Sequence, residues 1–439
     1  MCIMVRRLQF QEPMSLLPRQ VEDMLARLRL SFSPSEAQRR VAPHPQDPPA
    51  PLIRAPRRPD IAGVRRLWAM LRARGAGAQD ETCLASDAAL AGIERYGANI
   101  ENMIGFTTLP LGLAGPLRVN GLHAQGDYYL PLATTEAALV ASYSRGCEIV
   151  TKAGGASAAL TSEGVLRAPG FAFGGLGEAG LFIDWVARHA AVLGAAAEAT
   201  SRYAKLLSLE PVLDNDIVFL LCRFATGDAA GQNMATIAAD ALCRHIEAHC
   251  PIKPRHWFVE ANFSGDKKAS FLGLLTGRGR KVTASVVLPA ALVQGRLRVS
   301  VQRMLDYAGM ANLGALLSGQ IGAQGHYANG LAAFYIATGQ DAACVAESAV
   351  GMTRMEARGA DLLVSVTLPN ILVGTVGGGT GLPAQAAALR LLGLAGAGKA
   401  AALAEVTAAL CLAGEISIIG AMAAGEFTRA HRLLARGRG

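Results

Sequence analysis

The sequence predicts an α+β fold, and three observations point there. Hydrophobic residues make up 51% and charged residues 17% of the 439 residues, enough apolar surface for a large buried core. After about residue 100, short β-branched runs alternate with long Ala-rich helical runs. The segment Phe171–Trp257 breaks that rhythm by mixing helix and strand candidates, and reads as an α+β subdomain inserted in a larger one. At roughly 100–200 residues per domain the length allows two or three. Glycine is abundant (49) and aromatics are scarce (5%), which favours close backbone packing over stacking platforms.

Along the chain, Pro18–Leu30 predicts a short amphipathic helix with Val21, Met24, Leu25 and Leu28 on one side. Ala42–Pro59 contains seven prolines and reads as an extended polyproline linker. From Asp60, Ile61, Val64, Leu67 and Leu71 recur at helical spacing, and Gly75–Gly77 ends that helix. Thr134–Cys147 is a helical candidate opening on Thr-Thr-Glu. In the insert, Asp184–Leu207 and Asn233–His249 predict helices, while Pro211–Phe224 and the run around Trp257–Glu260 predict strands. Beyond it, Lys281–Leu288 and Leu362–Leu368 predict strands, and Leu382–Leu392 and Lys399–Ala424 predict helices. Tyr307–Gln340 has no Asp, Glu, Lys or Arg. Its seven glycines, with Asn312, Gln320, Gln324, His326 and Asn329, predict a buried helical region and not a membrane span.

The formal charge of +8 is uneven. Residues 1–80 hold fourteen Arg, no Lys and seven Asp or Glu, which leaves +1 for the remainder. A basic N-terminal arm therefore precedes a near-neutral body, and a nucleic-acid-binding body is disfavoured. Eight scattered cysteines (Cys2, Cys83, Cys147, Cys222, Cys243, Cys250, Cys344, Cys411) form no CxxC pair and read as reduced thiols of a cytoplasmic protein. Cys243, His245, His249 and Cys250 do not have a standard zinc spacing, so a helix with incidental Cys and His is expected and no metal. Met1–Phe10 carries Arg6 and Arg7 with no apolar run after them, so no signal peptide is expected.

Several local patterns carry candidate chemistry, each with two readings. Glu136 follows Pro131-Leu-Ala-Thr-Thr, where a carboxyl is either a helix cap or a buried acid with a raised pKa. Ser264-Gly-Asp-Lys-Lys268 is either a solvated turn or a way of holding an ammonium where an oxyanion develops. Thr226–Met234 is a Gly/Asp turn entering a helix, whose first N–H groups could receive a cofactor phosphate. Gly374–Gly381 is a second Gly-rich loop, and both are equally readable as tight turns. Gly396-Ala-Gly-Lys-Ala-Ala401 imitates a dinucleotide fingerprint but follows a helix, so it fails its context test. Asp341, in Gly339-Gln-Asp, is either a helix end or a positioned carboxylate, and His431 reads locally as an exposed tail histidine.

Taken in order, Glu101-Asn-Met-Ile-Gly105, Pro110-Leu-Gly-Leu-Ala-Gly-Pro-Leu117, Pro131–Glu136, Ser264–Lys268, Gly339–Asp341 and Gly374–Thr380 resemble the catalytic-domain motifs of 3-hydroxy-3-methylglutaryl-coenzyme A reductases. The resemblance spans about residues 95–435 and is closer to the class I form than to class II. It implies a large helix-rich domain around a long central helix, an inserted ferredoxin-like domain that binds the nicotinamide cofactor, and a small helical N-terminal domain. On this chain the division would be 1–59 (basic, Pro-rich extension), 60–103 (small helical domain), 104–168 with 260–439 (catalytic domain) and 169–259 (NADP(H)-binding insert). It also implies a cytoplasmic homodimer or dimer of dimers with active sites at the subunit interface, without the membrane anchor of the eukaryotic proteins and without nucleic-acid partners.

The reaction so implied is an oxidoreduction of isoprenoid biosynthesis. Two hydride transfers from NADPH reduce the coenzyme A thioester to mevalonate and release free coenzyme A. Lys267 would stabilise the oxyanion, Glu136 would donate protons if burial raises its pKa, and Asp341 would tune both. His431 would protonate the departing thiolate from a mobile tail. Asp228, Ala229, Gly231 and Asn233 match the nicotinamide-site motif, and Ser201-Arg202 match the position that meets the 2′-phosphate. Arg145, Arg167, Lys268 and Asn329 match substrate- or cofactor-facing positions.

Three positions depart from the pattern. Met310 stands where the family has a substrate-carboxylate lysine, Glu260 where it has a substrate-contacting serine, and Ala430 where a serine adjoins the histidine. The first two motivate an alternative, an NAD(P)H-dependent reductase of a different acyl-CoA thioester on the same scaffold. A third reading, a non-catalytic relative whose basic arm binds an acidic partner, is opposed by the joint presence of Glu136, Lys267, Asp341 and His431.

Overall fold

The structure, a computed structural model, describes residues 57–426 throughout and, before them, residues 26, 32–43, 45, 46, 50 and 53. The predicted helix Pro18–Leu30, apart from Ala26, and the tail with His431 lie outside the described residues.

The first layer is helical. Asp60 caps the helix Ile61–Arg72 by accepting the Gly63 N–H at 2.6 Å. Its apolar face, Val64 and Trp68, packs with Ala85, Leu90, Ile93 and Met103 in a small core of its own. Glu81 is buried beneath it and paired to Arg65 and Arg72.

The rest is built on one sheet. Its strands are β1 (Leu111–Gly121), β2 (Gln125–Ala133), β3 (Ala156–Arg167), β4 (Gly170–Ala172), β5 (Lys205–Asp214), β6 (Ile217–Ala225), β7 (His256–Phe258), β8 (Gly279–Leu288), β9 (Gly322–Ala323), β10 (Gly351–Arg358) and β11 (Asp361–Ile371). The path runs β7-β4-β6-β3-β8-β11-β10-β9, with β5 on the other edge of β6 and β1 joining β2 to β3. Burial alternates along β8 from Arg280 to Leu288, so one face of the sheet meets the core.

Strands β4 to β7 and the helices Leu176–Glu198 and Gln232–His249 make a βαββαβ unit. Its strand order, β7-β4-β6-β5, is ferredoxin-like. Because β6 pairs in succession with β3 and β4 along one edge, the insert extends the main sheet sideways. The chain is therefore α+β, with a helix-rich larger part and an inserted smaller one.

The predicted elements shift in four places. The helix expected to run to Leu207 ends at Glu198, and Lys205–Leu207 belong to β5. The single strand expected over Pro211–Phe224 is a hairpin, turning at Asn215 (φ 52°) and Asp216. The helix expected from Thr134 begins at Leu139, after a turn with Ala138 in the left-handed region, so Thr-Thr-Glu is not its cap. Of Tyr307–Gln340, helix Tyr327–Thr338 is buried as expected. The preceding helix, Val301–Ser318, instead exposes Met310, Leu313, Leu316 and Leu317.

The helix Ala400–Ala423 is the axis. It is long and apolar enough to cross a membrane (mean hydropathy 1.8), yet 89% of that window is buried inside the fold. Its buried polar groups are satisfied. Glu405 accepts from the N–H groups of His123 (2.8 Å), Ala124 (2.8 Å) and Leu160 (3.1 Å). Glu415 accepts from those of Gly325 (2.7 Å) and His326 (2.8 Å) and from Thr353 Oγ1 (2.7 Å). Helix Leu139–Lys152 crosses it so closely that a Cβ at Gly146 would sit 1.9 Å from the Ala413 carbonyl oxygen. Gly146→Ala should therefore cost about 1–3 kcal/mol by forcing these helices apart. A lowered urea midpoint at unchanged m-value is the expected result.

Candidate active site

Lys267 sits in the turn Ser264–Lys268, which follows the exit from the insert. Gly265 (φ 70°) and Lys267 (φ 56°) both occupy the left-handed region, an uncommon conformation for lysine. The lysine is held at both ends. Its backbone N–H donates to Glu347 Oε1 at 3.2 Å, and its Nζ lies 2.9 Å from Asp341 Oδ2. Asp341 follows Gly339 (φ 74°), which ends helix Tyr327–Thr338, and its Oδ1 accepts the Ala343 N–H at 3.0 Å. Burial raises the Asp341 pKa, but the hydrogen bonds from Lys267 and Ala343 and the lysine's charge outweigh it and hold the carboxyl below its ordinary value. The hydrogen bond to Asp341 raises Lys267 above its ordinary value.

Beneath this pair lies Arg278, 1% exposed. Its Nη1 is 2.6 Å from both Glu347 oxygens, and its Nη2 is 3.0 Å from Gln232 Oε1 and 2.8 Å from Asp266 Oδ1. Desolvation pushes the Glu347 carboxyl up, opposed by Arg278. Arg167 approaches the same cluster, with Nη1 3.1 Å from Asp266 Oδ2 and 3.9 Å from Glu260 Oε2. Three buried atoms here, Arg167 Nη1, Glu260 Oε1 and Asp266 Oδ1, lack a partner in hydrogen-bond geometry. Arg167 Nη1 and Asp266 Oδ1 are held by ion pairs alone and Glu260 Oε1 has no hydrogen bond, so the cluster keeps hydrogen-bonding capacity.

A cleft of about 420 Å³ opens beside Asp341. Its walls are Ala229–Met234, Gly339–Asp341, Gly374 and Val376–Thr380, so three motifs distant in sequence meet there. Only glycine permits this approach: a Cβ at Gly374 would lie 2.4 Å from the Ala230 nitrogen, and one at Gly339 2.4 Å from the Gly379 carbonyl oxygen. Arg280 ties the walls together by donating to the Gly227 and Val373 carbonyls, each at 2.5 Å. Asp228 is a strut: its oxygens accept the N–H groups of Gly398 (2.7 Å) and Ala400 (3.1 Å) at the start of the central helix. Burial raises its pKa, and these backbone donors bring it below the ordinary value.

The remaining expected residues are dispersed. Glu136 is exposed in the turn after β2. Its own N–H donates to Thr134 Oγ1 at 2.9 Å, and no side-chain hydrogen bond or ion pair joins it to Lys267 or Asp341 among the described residues. The expected buried acid is thus solvated in a single chain, because residues 134–138 loop outward before the helix begins. Arg145 is turned to the central helix, donating to Ser417 Oγ (3.1 Å) and its carbonyl (2.8 Å). Lys268 Nζ donates to the Asp266 carbonyl at 2.9 Å. Asn329 is exposed, 3.3 Å from His326 Nδ1. Asn233 is exposed at the rim of the cleft, beside Ala229 and Gly231. The Ser201 hydroxyl accepts the Tyr203 N–H at 3.2 Å, and Arg202 lies 5.0 Å over the Tyr203 ring. That ring comes within 3.8 Å of where a Gly227 Cβ would be, so the Ser201-Arg202 segment borders the turn Gly227–Met234.

Sequence reading missed Arg278, Glu347 and Gln232. The available signal was weak: an arginine set between glycines (Gly277-Arg-Gly) and a lone glutamate in an apolar run (Val345-Ala-Glu-Ser-Ala-Val350).

Comparison with known proteins decides the lineage. The sequence profile of hydroxymethylglutaryl-coenzyme A reductase matches residues 67–436. The chain belongs to the hydroxymethylglutaryl-coenzyme A reductase family. The reductase of Aeropyrum pernix is 43% identical over 350 residues, 78% of this chain and 83% of that one. The Haloferax volcanii reductase is 40% identical over 364 residues, covering 80% and 90%. Among solved structures, a class II reductase from Streptococcus pneumoniae bound to NADPH in open conformations superposes with a TM-score of 0.59 at 21% identity, over 82% of this chain and 96% of that one. That likeness establishes the shared fold. The family is one of oxidoreductases acting on a coenzyme A thioester with a nicotinamide cofactor.

The hydrogen bond to Asp341 is the largest upward influence on the Lys267 pKa. Asp341→Asn should bring the lysine's pKa down towards its ordinary value, since the largest upward influence is removed. A ¹³C titration of the Lys267 ε-carbon should show the lower midpoint.

Proposed function

We propose that this chain reduces 3-hydroxy-3-methylglutaryl-coenzyme A to mevalonate and free coenzyme A in two steps, using NADPH, as a cytoplasmic homodimer. The observation that carries the reading is the Lys267–Asp341 pair at 2.9 Å beside a cleft lined by three glycine-rich turns.

The cleft fits a nicotinamide cofactor on the structure's own terms. Its glycine walls expose backbone, and Cβ atoms at Gly377 and Gly378 would meet nothing. The first turn of helix Gln232–His249 directs N–H groups there. Ala229, Gly231 and Asn233 would hold the nicotinamide end, Asp228 would fix their turn, and Ser201-Arg202 would meet the adenosine 2′-phosphate. When bound, the reduced cofactor supplies the hydrides.

The chain's own residues do the rest. The Lys267 ammonium, hydrogen-bonded to Asp341, faces the carbonyl oxygen as it becomes negative. Arg167, Arg145, Lys268 and Asn329 are assigned to the substrate, with Arg167 Nη1 held by ion pairs to Asp266 and Glu260 but making no hydrogen bond. Glu136 donates the proton that the carbonyl oxygen takes up as the aldehyde is reduced to the alcohol, and for that it needs a second subunit to cover its exposed turn and desolvate it. His431 protonates the departing thiolate.

The structure gives the alternative acyl group one specific support. Glu260 takes up part of the Arg167 charge, and Met310 is 76% exposed. An acyl thioester without a distal carboxylate would then be preferred.

Steady-state NADPH oxidation with the methylglutaryl thioester and two other acyl-CoA thioesters separates the readings. Turnover of the first is expected, and a clear preference for another acyl group selects the alternative. Lys267→Ala and Glu136→Gln should each lower kcat by about 10³-fold or more at unchanged melting temperature. Arg202→Gln should raise KM for NADPH by about tenfold while leaving that for NADH within about twofold.

A further inference from the structure

We propose that Gln232 is a positioning residue that holds the Lys267–Asp341 pair through a closed ring of hydrogen bonds. The inference rests on reading that pair as the reacting groups.

Gln232 opens the helix Gln232–His249, directly after Gly231 (φ 81°), so its backbone belongs to the wall of the cleft. Its side chain reaches across to two other segments. Oε1 accepts from Arg278 Nη2 at 3.0 Å, while Nε2 donates to Asp341 Oδ2 at 3.4 Å and to Cys344 Sγ at 2.9 Å. The orientation of the amide is chemically determined. A guanidinium can only donate and a carboxylate can only accept, so the oxygen must face Arg278 and the nitrogen Asp341.

From Arg278 the ring continues to Glu347, at 2.6 Å, and from Glu347 Oε1 to the Lys267 N–H at 3.2 Å. Lys267 closes it through Nζ on Asp341. Both the backbone and the ammonium of the lysine are thus fixed by one circuit of five side chains from five places in the chain. Arg278 and Glu347 are each 1% exposed, so no water competes for their bonds. The Gln232 carbonyl also accepts from Arg167 Nη2 at 3.3 Å, which joins the ring to the cluster with unpaired polar atoms. Gln232 is the one member shared by the cleft wall, the Asp341 carboxylate and the buried arginine. Its removal loosens Asp341 Oδ2 and leaves Arg278 Nη2 with Asp266 alone.

The experiment measures Gln232→Leu beside Lys267→Ala in the intact protein, with NADPH and the methylglutaryl thioester. For Gln232→Leu, kcat should fall on the order of tenfold while KM for both substrates stays within about twofold. The groups facing the Asp341 carboxyl are Lys267, Cys344, Gln232 and the Ala343 N–H. Loss of one donor to the ionised form moves the acid limb of kcat to higher pH. An unchanged kcat and acid limb overturns the proposal, as does a kcat loss matched by a rise in KM for the nicotinamide, which would make Gln232 a cofactor contact. If Lys267→Ala turns over like wild type, the reading of the pair falls and the proposal with it. If Lys267→Ala is dead and Gln232→Leu is silent, only the positioning role falls. Gln232→Met repeats the comparison should the leucine variant not fold, and failure of both to fold overturns positioning in favour of a structural role.

Discussion

Two carboxyl groups, Glu405 and Glu415, hold the apolar helix Ala400–Ala423 in register with the loops around it. The helix is buried on all sides, so hydrophobic burial fixes its depth but not its rotation or its slide along the axis. The carboxyls supply that. One gathers the backbone where β1 turns to β2 and a point on β3, and the other gathers the start of helix Tyr327–Thr338 and a strand of the far sheet edge. The same axis receives Asp228 at its first turn and Arg145 near its last. Segments far apart in sequence are thereby indexed to one rod, and Gly146 allows the neighbouring helix to touch it.

The site is an exercise in charge compensation. Arg278, Arg167 and Lys267 stand among Asp266, Glu347, Glu260 and Asp341, and each cation has at least one acid within ion-pair reach. Buried charges of one sign alone would be costly, and pairing makes the arrangement tolerable. The pairing also grades the groups. Arg278 and Glu347 are sealed and serve geometry, while Lys267 and Asp341 keep 42% and 41% of their side chains exposed and remain open to chemistry. Lys267, in an unusual backbone conformation, reaches Asp341 on the cleft wall from a turn anchored to Glu347.

Much of this was legible from residues alone, and the failures have physical causes. Strands β8 and β11 and the axial helix were readable because β-branched or Ala-rich runs ended at Gly or Pro. The Asn215–Asp216 turn was hidden because apolar residues flank it on both sides, making two short strands read as one. The helix that overran to Leu207 shows that an Ala-rich segment contains no stop signal of its own. Lys267 and Asp341 were identifiable as motifs. Arg278, between glycines, looked like an ordinary surface residue, since burial of a charge depends on partners supplied by other segments. Glu136 was expected to be buried but is exposed in the single chain, because local apolarity does not say which way a turn protrudes.

The insert leaves and re-enters the larger part at nearly one point. The Ala261 N–H donates to the Ala168 carbonyl at 3.1 Å, and the Ala168 N–H reaches Glu260 Oε2 at 3.4 Å. The two halves it interrupts therefore need no spacer between them. Residues added or lost in the insert's outer loops would leave the span it bridges unaltered.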